Sequence, residues 1–262
     1  MPLRLIAASL TGFFLLSLGT AANAEIDWEI APYVWAADVG LDTTIDGDPV
    51  LGVTVPFSDL VDKLDSAFMI HGEGISDSGF GGFADIITLT VSDSSVTPVG
   101  PGGPILGDLV VNTEVSVGMY EAGGILRFGD LGIDKTVMDI LLGLRYVDID
   151  QDLAITLPGP GGNVISRNIS VSEVDALIGV RVVGQFSQRL GYQVRGDYAD
   201  LGTEGSWNLL ATLGYTFGEG LFTLDVGYRH MMLDLADNLN TGGNSSSDLD
   251  MSGPLVGFVF RF

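Results

Sequence analysis

Residues 220–230 read GLFTLDVGYRH, and the alternation within this stretch decides the fold. Every second residue is apolar and would share one face of an extended chain: Phe222, Leu224, Val226 and Tyr228. The residues between them are polar or small: Thr223, Asp225, Gly227 and Arg229. A period of two is typical of a β-strand, because successive side chains of a strand point to opposite faces. The stretch therefore predicts a strand with one apolar face and one polar face.

The same alternation recurs along the chain, with clusters of Gly, Asp, Asn and Pro between the segments. About ten segments show it: 27–45, 53–76, 80–92, 108–128, 136–157, 164–186, 190–201, 205–217, 221–236 and 249–262. Eight or twelve strands remain alternatives, because residues 45–66 can be divided in more than one way. Within that region, 57–65 (FSDLVDKLD) breaks the period of two and fits either one short helical turn or a loop.

The connections between the segments alternate in length. Short turns are predicted at Ser76–Gly79, Gly129–Lys135, Ser187–Arg189 and Gly218–Gly220, and long polar loops at 46–52, 93–107, 158–163 and 238–248. This alternation is typical of an outer-membrane barrel, which has tight periplasmic turns and longer external loops. The sequence thus predicts an all-β fold, a single antiparallel transmembrane β-barrel of about ten strands with both termini on one side.

Composition narrows the class of protein further. The chain of 262 residues is 46% apolar and carries 11 Lys+Arg against 34 Asp+Glu, a net charge of -23. So few cations exclude a nucleic-acid partner, and the absence of cysteine excludes disulfides and thiolate metal sites. Residues 1–24 resemble a cleaved secretory signal peptide, with Arg4, the apolar stretch LTGFFLLSL and the small-residue site Ala22-Asn23-Ala24. The barrel would then comprise residues 25–262.

The polar faces of the predicted strands carry arginines close to carboxylates. If lipid covers the apolar faces, these groups line the lumen, where charges are tolerated when they are paired. The predicted lumen network contains Glu29, Glu73, Asp85, Glu121, Arg127, Asp139, Arg145, Glu173, Asp175, Arg181, Arg195, Asp197, Asp225, Arg229 and Arg261. Acids outnumber arginines in this set, so any aqueous path should favour cations. The alternative is that these are ordinary solvated faces of a water-soluble sheet.

A G-x-R tripeptide recurs on the polar faces of three predicted strands. Its glycines are Gly143, Gly179 and Gly227, each two positions before an arginine. We expect them to leave room for the guanidinium groups.

The last ten residues, GPLVGFVFRF (253–262), are the most specific feature of the chain. Gly257, Phe258, Phe260 and the terminal Phe262 resemble the signal by which the bacterial barrel-assembly machinery recognises its clients. Further stretches (31–42, 57–69, 141–150 and 207–217) make the chain similar to a family of uncharacterised Gram-negative outer-membrane β-barrel proteins, with the architecture of the OmpA/OmpW-type small barrels. The resemblance implies the outer membrane as location, and outer-membrane lipid, lipopolysaccharide and the barrel-assembly machinery as partners. It implies little about activity.

Two sets of aromatic and acidic residues are expected at the membrane boundaries. Five outward aromatics are candidates for the interfacial girdles of such a barrel: Trp28, Tyr120, Tyr146, Tyr215 and Phe262. Asp148, Asp150 and Asp152 alternate at the end of a long strand and form a candidate Ca²⁺ or Mg²⁺ site at the external rim. Bound divalent ions there would bridge the protein to lipopolysaccharide; solvated acids that bind no metal are the alternative.

These features favour a structural or small-solute channel role, with a narrow, salt-bridged lumen that is mildly cation-favouring if open. We expect no enzymatic activity and no cofactor. One alternative is an outer-membrane hydrolase acting on lipid or peptide, because His71 lies beside Glu73 in the motif HGEG and a histidine with a carboxylate can act as a general base. Another is an adhesin-like binding surface on the loops 93–107 and 238–248.

Overall fold

The computed structural model describes residues 25–45, 48–98, 108–129, 135–156, 164–200, 205–218, 220, 222–235 and 245–262. The predicted signal peptide, residues 1–24, lies outside this set. The strands are β1 (Ile26–Trp35), β2 (Asp38–Ile45), β3 (Asp48–Val55), β4 (Leu64–Ser76), β5 (Phe80–Pro98), β6 (Asp108–Phe128), β7 (Val137–Thr156), β8 (Val164–Gln185), β9 (Leu190–Ala199), β10 (Ser206–Phe217), β11 (Phe222–Leu235) and β12 (Ser245–Arg261), and the helix α1 is Phe57–Val61.

Ten of these strands form a closed antiparallel ring. The order is β1-β4-β5-β6-β7-β8-β9-β10-β11-β12, and β12 returns to pair with β1. The seam is closed as far as the C-terminus, because Trp28 and Phe262 exchange two backbone hydrogen bonds of 3.1 Å. The predicted ten-strand antiparallel barrel is therefore confirmed.

The two further strands arise because the first two barrel strands are interrupted. β1 and β2 follow one another along β12, with a break at Ala36–Ala37 where the N–H of Ala36 still donates to the carbonyl of Pro254. The short helix α1 separates β3, which pairs with β2, from β4, which pairs with β1. The predicted helical turn is thus present, whereas the long loop predicted at 46–52 is wrong, since β3 begins at Asp48. No helix within the described part of the chain is long and apolar enough to cross a membrane.

Two other predicted long loops are shorter than expected. Residues 93–98 continue β5 and residues 245–248 begin β12, so of these two predicted loops the parts outside the described residues are 99–107 and 238–244. The polar sequence SDSSVTP (92–98) predicts a loop, but a strand that rises above the membrane meets water on its outer face and can be polar there. All of the predicted loop 158–163 and most of the predicted turn 129–135 also fall outside the described residues.

The strands differ greatly in length, and this gives the external half of the molecule its shape. β5, β6, β7 and β8 have 19, 21, 20 and 22 residues, whereas β9 and β10 have 10 and 12. The end opposite the termini therefore divides into two upright sheets: the tall wall, formed by β5–β8, and the second wall, formed by β11, β12, β2 and β3. Between them, on one side, stand the shorter strands β9, which ends at Ala199, and β10, which begins at Ser206.

Candidate functional site: a filled lumen

An apolar belt surrounds the outside of the barrel. Every barrel strand carries exposed apolar side chains, among them Leu144, Ile178, Leu213, Val256 and Phe258. On β7 the belt runs from Met138 to Tyr146, which at about 3.3 Å per residue and a tilt of about 40° spans roughly 23 Å. This height matches the hydrocarbon core that an outer-membrane barrel crosses.

Aromatic side chains mark both edges of the belt. At the edge away from the termini, Tyr120 and Tyr146 stack with their ring centroids 5.9 Å apart. At the edge near the termini lie Trp28, Tyr215 and Phe262, together with further phenylalanines at the strand ends. The five aromatics expected in girdles therefore divide between the two boundaries.

Polarity inverts on the tall wall beyond Tyr146. Outward positions there are polar, as at Thr88, Ser116, Asp148 and Ser172, while inward positions are mainly apolar, as at Ile149. No register shift interrupts the pairing of β5 through β8, so the same faces continue from the membrane into the wall. A polar outer surface indicates that the wall stands in water beyond the lipid.

Arg145 lies at the centre of the lumen network and is fully buried. Its Nε donates to Glu121 Oε1 (2.9 Å), its Nη1 donates to Ser206 Oγ (2.7 Å) and its Nη2 donates to Asp197. Arg195 binds the same two acids, at 2.6 Å from Glu121 Oε2 and 2.6 Å from Asp197 Oδ2. Two guanidinium groups and two carboxylates thus tie β6, β7 and β9 together in the paired form that makes buried charge tolerable, and the Ser206 hydroxyl joins β10 to them.

Arg181 extends the network across the lumen. Its guanidinium group reaches Glu73 on β4 (Nη1 to Oε2, 2.5 Å) and Asp139 on β7 (Nη2 to Oδ2, 2.7 Å). Arg127 holds the other side of Asp139 with two hydrogen bonds of 2.8 and 3.0 Å. Because β8 and β4 stand four places apart in the ring, the Arg181–Glu73 pair braces nearly opposite walls.

Asp85 organises the side of the network near the seam. It accepts a hydrogen bond from Tyr33 Oη (2.8 Å) and lies 3.2 Å from His71 Nδ1. Arg229 approaches Asp85 at 3.9 Å, donates to Tyr33 Oη (3.3 Å) and donates to Asn208 Oδ1 (2.8 Å). This part of the network joins β1, β4, β5, β10 and β11.

The remaining predicted lumen residues lie around this centre. Glu29 and Arg261 form a pair (2.9 Å) near the termini that is open to solvent. Asp175 is buried directly opposite Arg145 in the β7–β8 register, Asp225 lines the lumen cavity described below, and Glu173 is half-buried further out on β8. Each side chain that was predicted to face inward lies on the inner face, although Glu29 and Arg261 belong to the mouth and not to the central layer.

Glycines make room in the lumen for backbone and not for guanidinium groups, contrary to our expectation. A Cβ on Gly143 would collide with the carbonyl of Ala122 and would lie 2.9 Å from Gly123 Cα. A Cβ on Gly179 would meet Asp197 Cβ at 2.7 Å. The glycines of the G-x-R tripeptides therefore permit close approach of the neighbouring strand.

An apolar cluster, the plug, fills the lumen on the external side of the charged network. Met119 on β6 and Met231 on β11 come from opposite walls, five places apart in the ring, and are almost completely buried. Trp35, Ile87 and further apolar side chains of β7 and β12 complete it. The plug and the network meet where the Arg229 guanidinium lies 5.0 Å from the centre of the Trp35 ring, a cation–π contact.

A cavity of about 80 Å³ remains between the plug and the mouth near the termini. Tyr33, His71, Asp85, Arg195 and Arg229 are among the residues that line it. Since a water molecule needs about 10–15 Å³ of such space, the cavity can hold several waters.

The candidate catalytic and metal-binding groups lie in two different places. Both ring nitrogens of His71 face carboxylates, at 3.2 Å (Asp85) and 3.4 Å (Glu73), so this histidine is a member of the charged network. Asp148, Asp150 and Asp152 point outward in one row on the tall wall, about 6.6 Å apart along the strand, too far for one ion to bind all three. No group of three or more potential ligands with metal-site geometry occurs among the described residues.

Sequence reasoning missed three members of the network: Tyr33, Ser206 and Asn208. Asn208 donates to Asp197 Oδ2 (2.8 Å), Ser206 accepts from Arg145, and Tyr33 connects Asp85 to Arg229. All three occupy inward positions of the alternation, so the signal was present, but a search confined to charged residues does not find them.

The C-terminal residues of the assembly signal lie on the last strand as their alternation predicts. Phe258, Phe260 and Phe262 point outward and are exposed, whereas Gly257 faces the lumen. Phe222 of β11 packs against the first two, with ring centroids at 5.6 and 5.8 Å.

No family model and no curated protein sequence matches the chain. Among solved structures, the outer membrane protease OmpT of Escherichia coli is similar at 9% identity and a TM-score of 0.47, over 93% of this chain and 98% of that one. Ail, the attachment invasion locus protein of Yersinia pestis, matches at 9% identity and a TM-score of 0.37, over 90% and 98%. Neisserial surface protein A matches at 12% identity and a TM-score of 0.30, over 92% and 99%. By its closed antiparallel barrel, its lipid-matched apolar belt and its paired lumen charges, the chain has the architecture of a transmembrane β-barrel.

Proposed function

We propose that the protein is a structural barrel of the outer membrane with a closed lumen, which presents its two external walls at the cell surface. The observation that carries the proposal is the double obstruction of the lumen. The charged network braces nearly opposite walls through Arg181 and Glu73, and the plug joins opposite walls through Met119 and Met231. A solute would have to break buried ion pairs and then cross an apolar layer, and each step is costly.

The network also sets the selectivity of any leak. Among the residues whose burial is described, six acids are buried, namely Glu73, Asp85, Glu121, Asp139, Asp175 and Asp197, against four arginines. The surplus of carboxylates would attract cations into any path that opened and would repel anions from it. The channel that the sequence predicts is thus proposed to be closed, and to favour cations over anions if it opens.

Ion flux from lipid vesicles tests this proposal. Vesicles that contain the folded wild-type protein should retain K⁺ as protein-free vesicles do. A variant that lacks both obstructions (Met119→Ala, Met231→Ala and Arg181→Ala together) should release K⁺ faster than Cl⁻. The control is Leu213→Ala on the lipid face, which should remain closed. Rapid flux of both ions through wild-type protein would contradict the proposal.

The hydrolase reading gains no support from the position of His71. A histidine that activates a nucleophile needs one ring nitrogen directed at the hydroxyl group, and both nitrogens of His71 face carboxylates. The geometry therefore favours a role for His71 in charge pairing.

A further inference from the structure

The lumen cavity is lined by charged groups of both signs. Three arginines and three acids border it: Arg181, Arg195, Arg229, Glu29, Asp85 and Asp225. These six, like the other residues around the cavity, lie on strands that the structure describes. What a bound molecule would contact therefore depends on which of these groups keep donors or acceptors that the network does not use.

Two of the arginines keep an unused donor at the cavity. Arg195 uses Nε and Nη2 for its two ion pairs, and its Nη1 donates to no group in the described part of the chain. Arg229 uses Nε and Nη1, whereas its Nη2 lies 3.7 Å from Glu121 Oε1, which is beyond hydrogen-bond distance. Neither nitrogen is fully enclosed by protein, so both border the cavity. Arg181, by contrast, donates from all three of its nitrogens.

One of the acids is open in the same way. The other two are already paired, but Asp225 forms no hydrogen bond and no ion pair with a described residue, and the charge of Arg261 acts on it only from a distance. Its neighbours in the register are both glycines, Gly214 on β10 and Gly257 on β12. A Cβ on Gly214 would collide with Asp225 Oδ1, so a residue without a side chain is needed there for the carboxylate to take this position.

The unused donors and the open carboxylate lie at two levels of the lumen. Arg195 and Arg229 flank Leu210 at one level of the register. Asp225 lies four positions nearer the termini than Arg229 on β11, which is about 13 Å along the strand. Because both levels border the same cavity, a molecule with one anionic end and one cationic end can contact both.

Charge and volume narrow the class of molecule. A net anion would add to the surplus of buried carboxylates and a net cation would face three arginines, whereas a zwitterion brings both charges and no net charge. The cavity of about 80 Å³ holds roughly five to eight waters at about 10–15 Å³ each. A molecule with about that many non-hydrogen atoms would fill it, which is the size of a small amino acid.

We propose that the lumen cavity binds a small α-amino acid in its zwitterionic form, with the carboxylate on Arg195 Nη1 and Arg229 Nη2 and the ammonium group on Asp225. Hydrogen bonds between charged groups would then hold both ends, and these are the strong kind. The cavity lies on the terminus side of the plug, and solvent reaches that end at Glu29 and Arg261. The inference goes beyond the closed lumen of the proposed function and does not depend on it, since the ligand need not pass the plug.

Binding of alanine to the folded protein in nanodiscs, measured by saturation-transfer NMR, tests the proposal. Two comparison probes each lack one charged end: propionate has no ammonium group and ethylamine has no carboxylate. Wild-type protein should bind alanine at least roughly tenfold more tightly than either probe, because each probe leaves charged groups of the cavity without a partner. Equally tight binding of propionate would indicate a site for anions, equally tight binding of ethylamine would indicate a site for cations, and either result would overturn the proposal.

The variant Asp225→Asn tests the assignment of the ammonium site. The change removes the charge but takes a bonded partner from no described residue, so the barrel should fold. It should weaken alanine binding roughly tenfold and retain propionate binding, so the preference for alanine over propionate should fall to about one. The control is Asp148→Asn on the outward face, which should bind as wild type does. Should Asp225→Asn fail to fold, as judged by heat-modifiable migration on gels, Asp225→Ser replaces it.

Two results would contradict the proposed site. If wild-type protein shows no saturable binding of alanine, the cavity holds only water and the proposal is overturned. The proposal is also overturned if Asp225→Asn keeps the wild-type preference for alanine. Because Asp225→Asn leaves the plug and the central ion pairs intact, vesicles that contain it should retain K⁺ as wild type does, and failure of this site can be told apart from failure of the closed lumen.

Discussion

Replacing Arg145 by methionine should destabilise the barrel by about 3 kcal/mol. The change removes a fully buried guanidinium that donates to Glu121, Ser206 and Asp197. Breaking a buried ion pair costs about 3–5 kcal/mol, because the partner charge stays buried without compensation. Arg195 still holds both acids at 2.6 Å, and so the loss should lie near the lower limit. Removing one of these acids together with the arginine (Arg145→Met with Asp197→Asn) should cost less than the sum of the single changes.

Urea unfolding of the barrel in lipid vesicles measures this loss, with tryptophan fluorescence and heat-modifiable migration as separate readouts. The matched control is Arg189→Met in the exposed turn between β8 and β9, which should change stability by less than about 0.5 kcal/mol. The stability of Arg145→Lys should fall between those of wild type and Arg145→Met, because lysine keeps the charge but lacks the planar guanidinium that donates to several acceptors at once. If Arg145→Met and Arg189→Met were equally stable, the network would not contribute to stability as argued.

Three further predictions concern other parts of the barrel. Asp248 stands between Asp42 and Asp234 on the second wall, and partial burial and then the charge of Asp234 raise its pKa. Since a carboxyl whose pKa is raised on folding destabilises the fold above that pKa, Asp248→Asn should increase stability at pH 7 by under about 1 kcal/mol. The gain should disappear at a pH low enough to protonate Asp248, and urea midpoints measured at pH 7 and at that lower pH will show it. Gly143→Ala should destabilise by about 1–3 kcal/mol, measured in the same way, because the added Cβ meets the backbone of β6; an unchanged midpoint would mean that the strands can separate there at no cost. Deletion of Phe262 should reduce the yield of folded protein in the outer membrane of cells while purified protein still folds into detergent; equal yields would argue against a recognition role for the terminal aromatic.

The alternation of the sequence was sufficient to assign the faces of the strands. Arg145, Arg181 and Asp139 were placed inside the barrel from a period of two alone, because a strand that meets lipid must keep its charges on the other face. Their partners could not be assigned in the same way. Arg181 binds Glu73, which is 108 positions away, and that pairing depends on the tilt and stagger of a closed barrel, which a single strand does not specify.

The external half of the molecule was less predictable for a different reason. Residues 93–98 (DSSVTP) are mostly polar and their composition predicts a loop, yet they continue β5. Outside the membrane the demand for an apolar outer face ends, so a strand there no longer shows the pattern by which the others were recognised. The plug was also missed, since Met119 and Met231 are apolar residues at inward positions where the lipid-facing rule predicts polar ones.

Single-channel conductance recording in planar lipid bilayers tests the closed lumen most directly. Folded protein, verified by heat-modifiable migration before insertion, should give no resolved current steps, while the variant with Met119→Ala, Met231→Ala and Arg181→Ala should give small, cation-selective steps. Large or anion-selective steps from the wild-type protein would contradict a lumen closed by the plug and the charged network.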